Sequence, residues 1–139
     1  MPNPVSTGLP HPASYTSKPG YVIDNVTGLW WQEPMDADNN QNNNCSAGCT
    51  QPNAVTYCAN LTLAGHGDWR LPTRIELVSI VDYTEVTAFN AAAFPKTPVT
   101  QFWTSSPCAA TPGSAWYVYF HATCSSQSQI SQARVRCVR

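Results

Sequence analysis

Charge is what this chain has least of. Only 11% of its residues are Asp, Glu, Lys or Arg, against about a quarter in an ordinary soluble domain. Seven basic and eight acidic side chains leave a net charge of −1, so bulk electrostatics draw the chain to neither nucleic acid nor an anionic membrane. No apolar run approaches the ~18 residues that a membrane-spanning helix needs, so no membrane insertion is expected. Met1-Pro2-Asn3-Pro4 offers neither a basic start nor an apolar stretch, so these residues are not expected to be a secretory leader.

Catalytic patterns are equally scarce. No serine, histidine and acid fall in a recognised hydrolytic arrangement, and no nucleophile elbow is present. Glu33, Asp36, Asp38 and Asp68 are acids enough for proton transfer, but nothing in the sequence fixes their separation. Cys45 and Cys49 lack a second ligand pair at zinc-site spacing, and His66 and His121 stand alone. The segment Asp36-Ala37-Asp38-Asn39-Asn40 has the oxygen-ligand rhythm of a calcium loop, which makes Asp36, Asp38 and Asn40 calcium candidates. It then departs from that pattern: Gln41 stands where the turn glycine belongs and Ala47 where the bidentate glutamate belongs. A solvated polar loop stapled by Cys45 and Cys49 is the simpler reading. The chain is therefore expected to be no enzyme and to hold no cofactor, calcium being the one candidate.

What is present suits an exported domain. Asn, Gln, Ser and Thr supply the solubility that charge does not, a balance common in extracellular proteins. The 139 residues, 42% of them hydrophobic, are enough for one domain with a core of its own. Six cysteines predict three disulfides in an oxidising compartment. With a start that is not expected to be a leader, they read as a module cut from a longer secreted protein.

The strongest local signal is Gly65-His66-Gly67-Asp68-Trp69-Arg70-Leu71-Pro72-Thr73-Arg74-Ile75-Glu76-Leu77. A glycine-punctuated loop leads to Pro72, and Thr73 with Glu76 has the spacing of a capping box. Ile75, Leu77, Val78 and Val81 then follow at helical spacing, predicting a helix to about Tyr83. Trp69 is expected to plug the core, and Arg70 to bond loop carbonyls or Asp68. Trp69, Arg70, Thr73 and Glu76 are thus read as structural.

Around this joint the rest falls in order. Residues 1–20, proline-rich and aperiodic, read as an extended arm, leaving 21–139 as the domain. Tyr21-Val22-Ile23 and Leu29-Trp30-Trp31-Gln32 flank turn residues and predict a hairpin. Residues 51–64 predict a first helix with Pro52 in its first turn, Ala54, Tyr57, Cys58 and Leu61 on one face, and Gly65 to end it. Beyond residue 100 the period changes to two. Phe102-Trp103-Thr104-Ser105 and residues 115–120 read as strands, the second with Tyr117 and Tyr119 on its outer face. Residues 133–139 predict a last strand with Val135 and Cys137 inward and Arg134 and Arg136 outward. The expected class is α+β, two helices packed on an antiparallel sheet. Cys58 and Cys137 both face the core and are paired, Cys45 with Cys49 closes the polar loop, and Cys108 with Cys124 closes the excursion around Trp116.

These residues also resemble a family. Thr27-Gly28-Leu29-Trp30-Trp31-Gln32, Ala54-Val55-Thr56-Tyr57-Cys58, Gly67-Asp68-Trp69-Arg70-Leu71-Pro72-Thr73 with Glu76-Leu77, Phe102-Trp103-Thr104-Ser105-Ser106, Ala115-Trp116-Tyr117-Val118 and Val135-Arg136-Cys137-Val138-Arg139 occur in the order seen in the C-terminal domain family of the Legionella collagen-like adhesin. The resemblance runs from about residue 21 to 139. It implies a variant of the C-type lectin-like fold, shared with the formylglycine-generating enzymes and with the variable proteins of diversity-generating retroelements. It also implies a trimerising module that binds sulfated glycosaminoglycans at a cell surface. The family's shared motifs are structural, so no binding residue is carried over from them.

Ligand contacts are therefore read from chemistry alone. Tyr117, Tyr119, His121, Gln127 and Gln129 offer rings and amides of the kind that adaptable binding surfaces use. Arg134, Arg136 and Arg139 make a basic stripe that could grip sulfate or carboxylate. The functional expectation is a secreted or cell-surface module that recognises an extracellular glycan or protein. The alternatives are a retroelement display protein, an oligomerisation module such as a homotrimer, and a formylglycine-generating type of enzyme.

Overall fold

The structure, a computed structural model, describes residues 12–34, 45, 47–83, 90–95, 97–119, 123–129 and 131–139, with 123–127 described by backbone alone. The calcium candidates Asp36, Asp38 and Asn40, the contact candidate His121 and the side chains of Cys124 and Gln127 lie outside the described residues. Among the described residues there are six strands and two helices: β1 (Tyr15–Lys18), β2 (Tyr21–Asp24), β3 (Trp30–Gln32), α1 (Gln51–Asn60), α2 (Arg74–Ser79), β4 (Gln101–Pro107), β5 (Ser114–Tyr119) and β6 (Thr123–Ser128). The class is α+β, with two antiparallel three-stranded sheets ordered β1-β2-β3 and β4-β5-β6.

The first sheet begins earlier than composition suggests. Residues 1–20 read as an arm, yet β1 pairs with β2 in the register Tyr15↔Asp24 to Lys18↔Tyr21. The cause is Pro19-Gly20, which leaves two residues for the turn. Gly20, at φ 88°, takes the positive φ that proline followed by glycine favours, and the chain folds back at once. The expected β2–β3 hairpin pairs Val22 with Trp31. Its tip is held by Asp24, whose carboxylate accepts from the Val26 N–H at 2.9 Å and the Thr27 hydroxyl at 2.8 Å.

Both helices are shorter than their periodicity predicts. α1 stops at Asn60 because Leu61 turns extended (φ −69°, ψ 127°) and drops its side chain into the core. Gly65 does not end the helix. With Ala64 it forms a tight turn in which both residues have positive φ (54° and 78°), while Leu63 and His66 exchange backbone hydrogen bonds of 3.0 and 3.1 Å. α2 ends at Ser79, whose hydroxyl donates to the Glu76 carbonyl at 2.6 Å and competes with the helical ladder. Ile75, expected inside, is 83% exposed, and Ile80 fills the core position instead.

The core has two parts. α1 lays Ala54, Tyr57 and Cys58 against Trp69, Trp103, Ala115, Val135 and Cys137. Leu77, Ile80, Phe94, Phe102, Val118 and Val138 surround Trp31 in the other. The second sheet lies between them, so both faces of β5 are in use. Tyr117, expected outward, packs against the first cluster, Val118 enters the second, and Trp116 is half-buried under the Arg74 guanidinium at 4.3 Å. β6 arises from a run of Ser and Gln that propensity does not mark as a strand. Its pairing with β5, from Ser114↔Ser128 to Tyr119↔Thr123, imposes the conformation.

Residues 133–139 form no ladder strand of their own, contrary to the expected last strand. They run between the sheets and bridge successively to Cys49, Phe102, Trp31 and Arg70. The segment bonds to β3 through Gln32 N–H to Cys137 O at 2.9 Å and Trp30 N–H to Arg139 O at 2.8 Å. On its other side Val138 and Arg70 exchange bonds of 2.9 and 2.8 Å.

Cys58–Cys137 and Cys45–Cys49 are disulfides, with sequence separations of 79 and 4. The first joins α1 to the central segment. Loop-closure entropy grows with the number of residues enclosed. Replacing Cys58 and Cys137 together by alanine should therefore cost about 4 kcal/mol, and Cys45 with Cys49 about 2 kcal/mol. Urea denaturation of the two double variants measures the difference, and equal losses would count against the entropic account.

Candidate functional site

The glycine loop and its tryptophan form a structural joint. Trp69 is 2% exposed, and its indole N–H donates to the Leu63 carbonyl at 3.2 Å. The capping box is complete: Thr73 Oγ1 accepts from the Glu76 N–H at 3.3 Å, and Glu76 Oε2 accepts from the Thr73 N–H at 2.8 Å. Arg70 bonds neither loop carbonyls nor Asp68. It forms a two-pronged pair with Glu76, at 2.6 and 2.8 Å, because helix entry delivers the Glu76 carboxylate beside it.

Asp68 pairs instead with Arg139, at 2.7 and 3.1 Å. That guanidinium lies over the Trp30 ring at 4.5 Å. Tyr21 stacks on Trp30 at 4.6 Å, and His66 meets it edge-on at 5.2 Å. Ring, cation and carboxylate form one clasp that fastens the loop around His66 to the first sheet. The Arg139 hydrogen bonds lower the Asp68 pKa and raise that of Arg139, so both stay charged at neutral pH.

The basic stripe is therefore not a stripe. Arg136, expected outward, is 0% exposed. Its Nη1 donates to the Gln32 carbonyl at 2.8 Å and to Glu33 at 2.5 Å, and its Nη2 to Thr97 Oγ1 at 2.6 Å. The guanidinium also lies over Phe94 at 4.7 Å. Burial lowers its pKa, and the Glu33 carboxylate opposes that. Strict alternation fails here because the segment has a sheet on either side rather than solvent on one. With Arg139 in the clasp, Arg134 remains half-buried, with no ion-pair partner among the described residues.

The other candidates are not brought to one place. Tyr119, 38% exposed, sits opposite Thr123 at one end of the β5–β6 pair. Gln127 pairs with Ala115 near the other end, and Gln129 lies just beyond, its N–H bonded to the Gly113 carbonyl at 3.0 Å. Thr123 and Ser128 are five residue steps apart along the strand, about 17 Å. Tyr117 is partly buried, packed against the first cluster. Glu33, Thr97 and Gln32, the partners of Arg136, are distant in sequence and carried no local signal. Among the described residues no group of three His, Cys, Asp or Glu side chains could hold a metal ion.

The described residues present surface that could serve recognition. Residues 20–139 match the family model described as the Lcl C-terminal domain. No curated protein matches the chain.

The Arg70 and Thr73 hydrogen bonds hold Glu76 at a pKa of about 2, against an ordinary 4.5. A carboxylate depressed in the folded state stabilises it fully above its unfolded value and loses that stabilisation as pH falls through the folded one. Melting temperature should therefore drop between pH 4.5 and about 2, and Glu76→Gln should flatten that part of the curve. An unchanged slope in the variant would place the acid sensitivity elsewhere.

Proposed function

The chain belongs to the Lcl C-terminal domain family, an adhesin-associated family, and on that premise we propose that it is a secreted or cell-surface recognition module. The reading takes the domain as a C-type lectin-like scaffold that binds glycans, sulfated polysaccharide among them, and carries out no catalysis. Family membership and the disulfides support an extracellular setting. No described helix is long and apolar enough to cross a membrane.

One contrast carries the proposal. Trp31, Trp69, Trp103, Arg136 and Arg139 are spent on the fold, whereas the second sheet ends in a strand of Thr123, Cys124, Ser125, Ser126, Gln127 and Ser128 beside an exposed Tyr119. An exposed aromatic ring at the end of a strand whose neighbour is composed of hydroxyl- and amide-bearing residue types suits a saccharide, with hydroxyls at its rim and C–H groups on its face. Arg134 bridges to Phe102 from the side of β4 opposite β5, about 10 Å from Val118 across two strand spacings. It supplies one cation for sulfate.

A glycan array that includes sulfated polysaccharides tests the reading, followed by titration of the best ligand. Tyr119→Ala should leave the fold intact and weaken binding about fivefold. Arg134→Ala should weaken sulfated ligands selectively and reduce the salt dependence of their binding. Absence of binding at every salt concentration would defeat the glycan reading.

A further inference from the structure

The second sheet keeps charged side chains on one of its faces. Ala115 and Tyr117 of β5, Trp103 of β4, and Ala133, Val135 and Cys137 pack in the first cluster, on the α1 side. Phe102, Val118 and Val138 enter the second cluster, on the α2 side. Side chains alternate between the two faces of an extended chain. Tyr119 therefore points to the α1 side with Tyr117, and Gln101 does so with Trp103. Arg134, between Ala133 and Val135, points to the α2 side. Arg136 does the same, its guanidinium over Phe94 of the second cluster at 4.7 Å. Arg74 is also on that side, over Trp116, two residues from Val118.

The α1 side is built from uncharged elements. Not one residue of α1, β4, β5 or β6 is Asp, Glu, Lys, Arg or His. Tyr119 is exposed on this face, with half-buried Tyr117 two residues or about 6.8 Å along the strand. Gln101 stands directly across from Tyr119. The Gln101 carbonyl accepts from the Arg134 N–H, and the Trp103 N–H donates to the Arg134 carbonyl, both at 2.9 Å. Gln101 and Trp103 thus turn their backbone groups toward residues 133–139. They face β5 as non-hydrogen-bonded partners, which brings opposed side chains closest, with Cα atoms about 4.5 Å apart. The half-buried Gln101 amide makes no hydrogen bond among the described residues, so its donor and acceptor stand beside the Tyr119 ring.

We infer that the α1 face of the second sheet takes an uncharged saccharide unit, stacked on the Tyr119 ring and bonded through a rim hydroxyl to the Gln101 amide, and that sulfate is left to Arg134 on the opposite face. The inference rests on the glycan reading above and narrows its ligand at Tyr119. A neutral hydroxyl that leaves water here finds an amide able to donate or accept. A sulfate or carboxylate would leave water without meeting a cation, at a larger cost. Arg134 and Arg74 do not offset that cost, because the sheet stands between them and the Tyr119 ring. One sugar unit therefore cannot touch Tyr119 and Arg134 together, and the two contacts act independently.

The test titrates saccharides in matched neutral and sulfated forms, chosen from those the array shows to bind. Affinity for the neutral form should stay within about twofold from about 0.05 to 0.5 M salt, since no ion pair is made. Tyr119→Ala and Gln101→Ala should each weaken it about fivefold, whereas Tyr119→Phe keeps the ring and should not. Arg134→Ala should leave neutral binding unchanged. In that variant the sulfated form of the same monosaccharide should bind about tenfold more weakly than the neutral one. Melting temperatures report whether each variant is folded, and the salt comparison on the unaltered protein needs no variant. Loss of neutral binding on Arg134→Ala would overturn the inference and leave glycan recognition standing. So would Tyr119→Ala and Gln101→Ala effects confined to sulfated ligands. If no glycan binds at any salt concentration, the glycan reading itself falls and this inference falls with it.

Discussion

The Arg136 guanidinium is the constraint from which the rest of the structure follows. A fully buried cation is tolerable only if its charge is balanced and its N–H groups are answered. The answers come from Gln32 and Glu33 at the end of β3, from Thr97, and from the face of Phe94. Those positions can converge only if residues 133–139 run through the middle of the molecule. With the segment there, Cys137 meets Cys58, Gln32 Oε1 accepts from the Cys137 N–H at 3.3 Å, and Val138 bridges Trp31 to Arg70. The two sheets thus share one spine.

The joint at residues 68–76 depends on that spine as well. Backbone bonds between Arg70 and Val138 set the height of the loop, and the Asp68–Arg139 pair closes it over Trp30. With the loop so fixed, Arg70 and Thr73 meet Glu76 at the start of α2. Polar side chains here act chiefly as fasteners among backbone segments. That use explains how a chain with so few charges commits its described ion pairs to the fold.

Legibility in the sequence followed the range of the interaction. The capping box at Thr73 and Glu76, the β2–β3 hairpin and the α1 face bearing Cys58 rest on spacings of two to four residues, and they stand where those spacings put them. Strand β6 did not announce itself, because Ser and Gln become a strand only when β5 offers an edge. The orientation of Arg136 was misread because alternation assumes one wet face, whereas the spine has none. Ile75 shows the same limit on α2, where four apolar residues at helical spacing exceeded what one short helix could bury. Among the candidate contacts, exposure of Tyr119 followed from its place near the strand end, while Tyr117, two residues back, was already under α1's side of the core.

The covalent link from Cys58 to Cys137 has a mechanical meaning for a domain of an adhesin-associated family. Tension applied beyond Arg139 reaches Cys137 within two residues and passes through sulfur to α1. Residues 59–136 then form a closed loop outside the force path, and only the chain on the N-terminal side of Cys58 can be drawn out. The second sheet, with Tyr119 and β6, sits wholly within that sheltered loop. Under load, the second sheet would stay outside the pulled chain after the first sheet had given way.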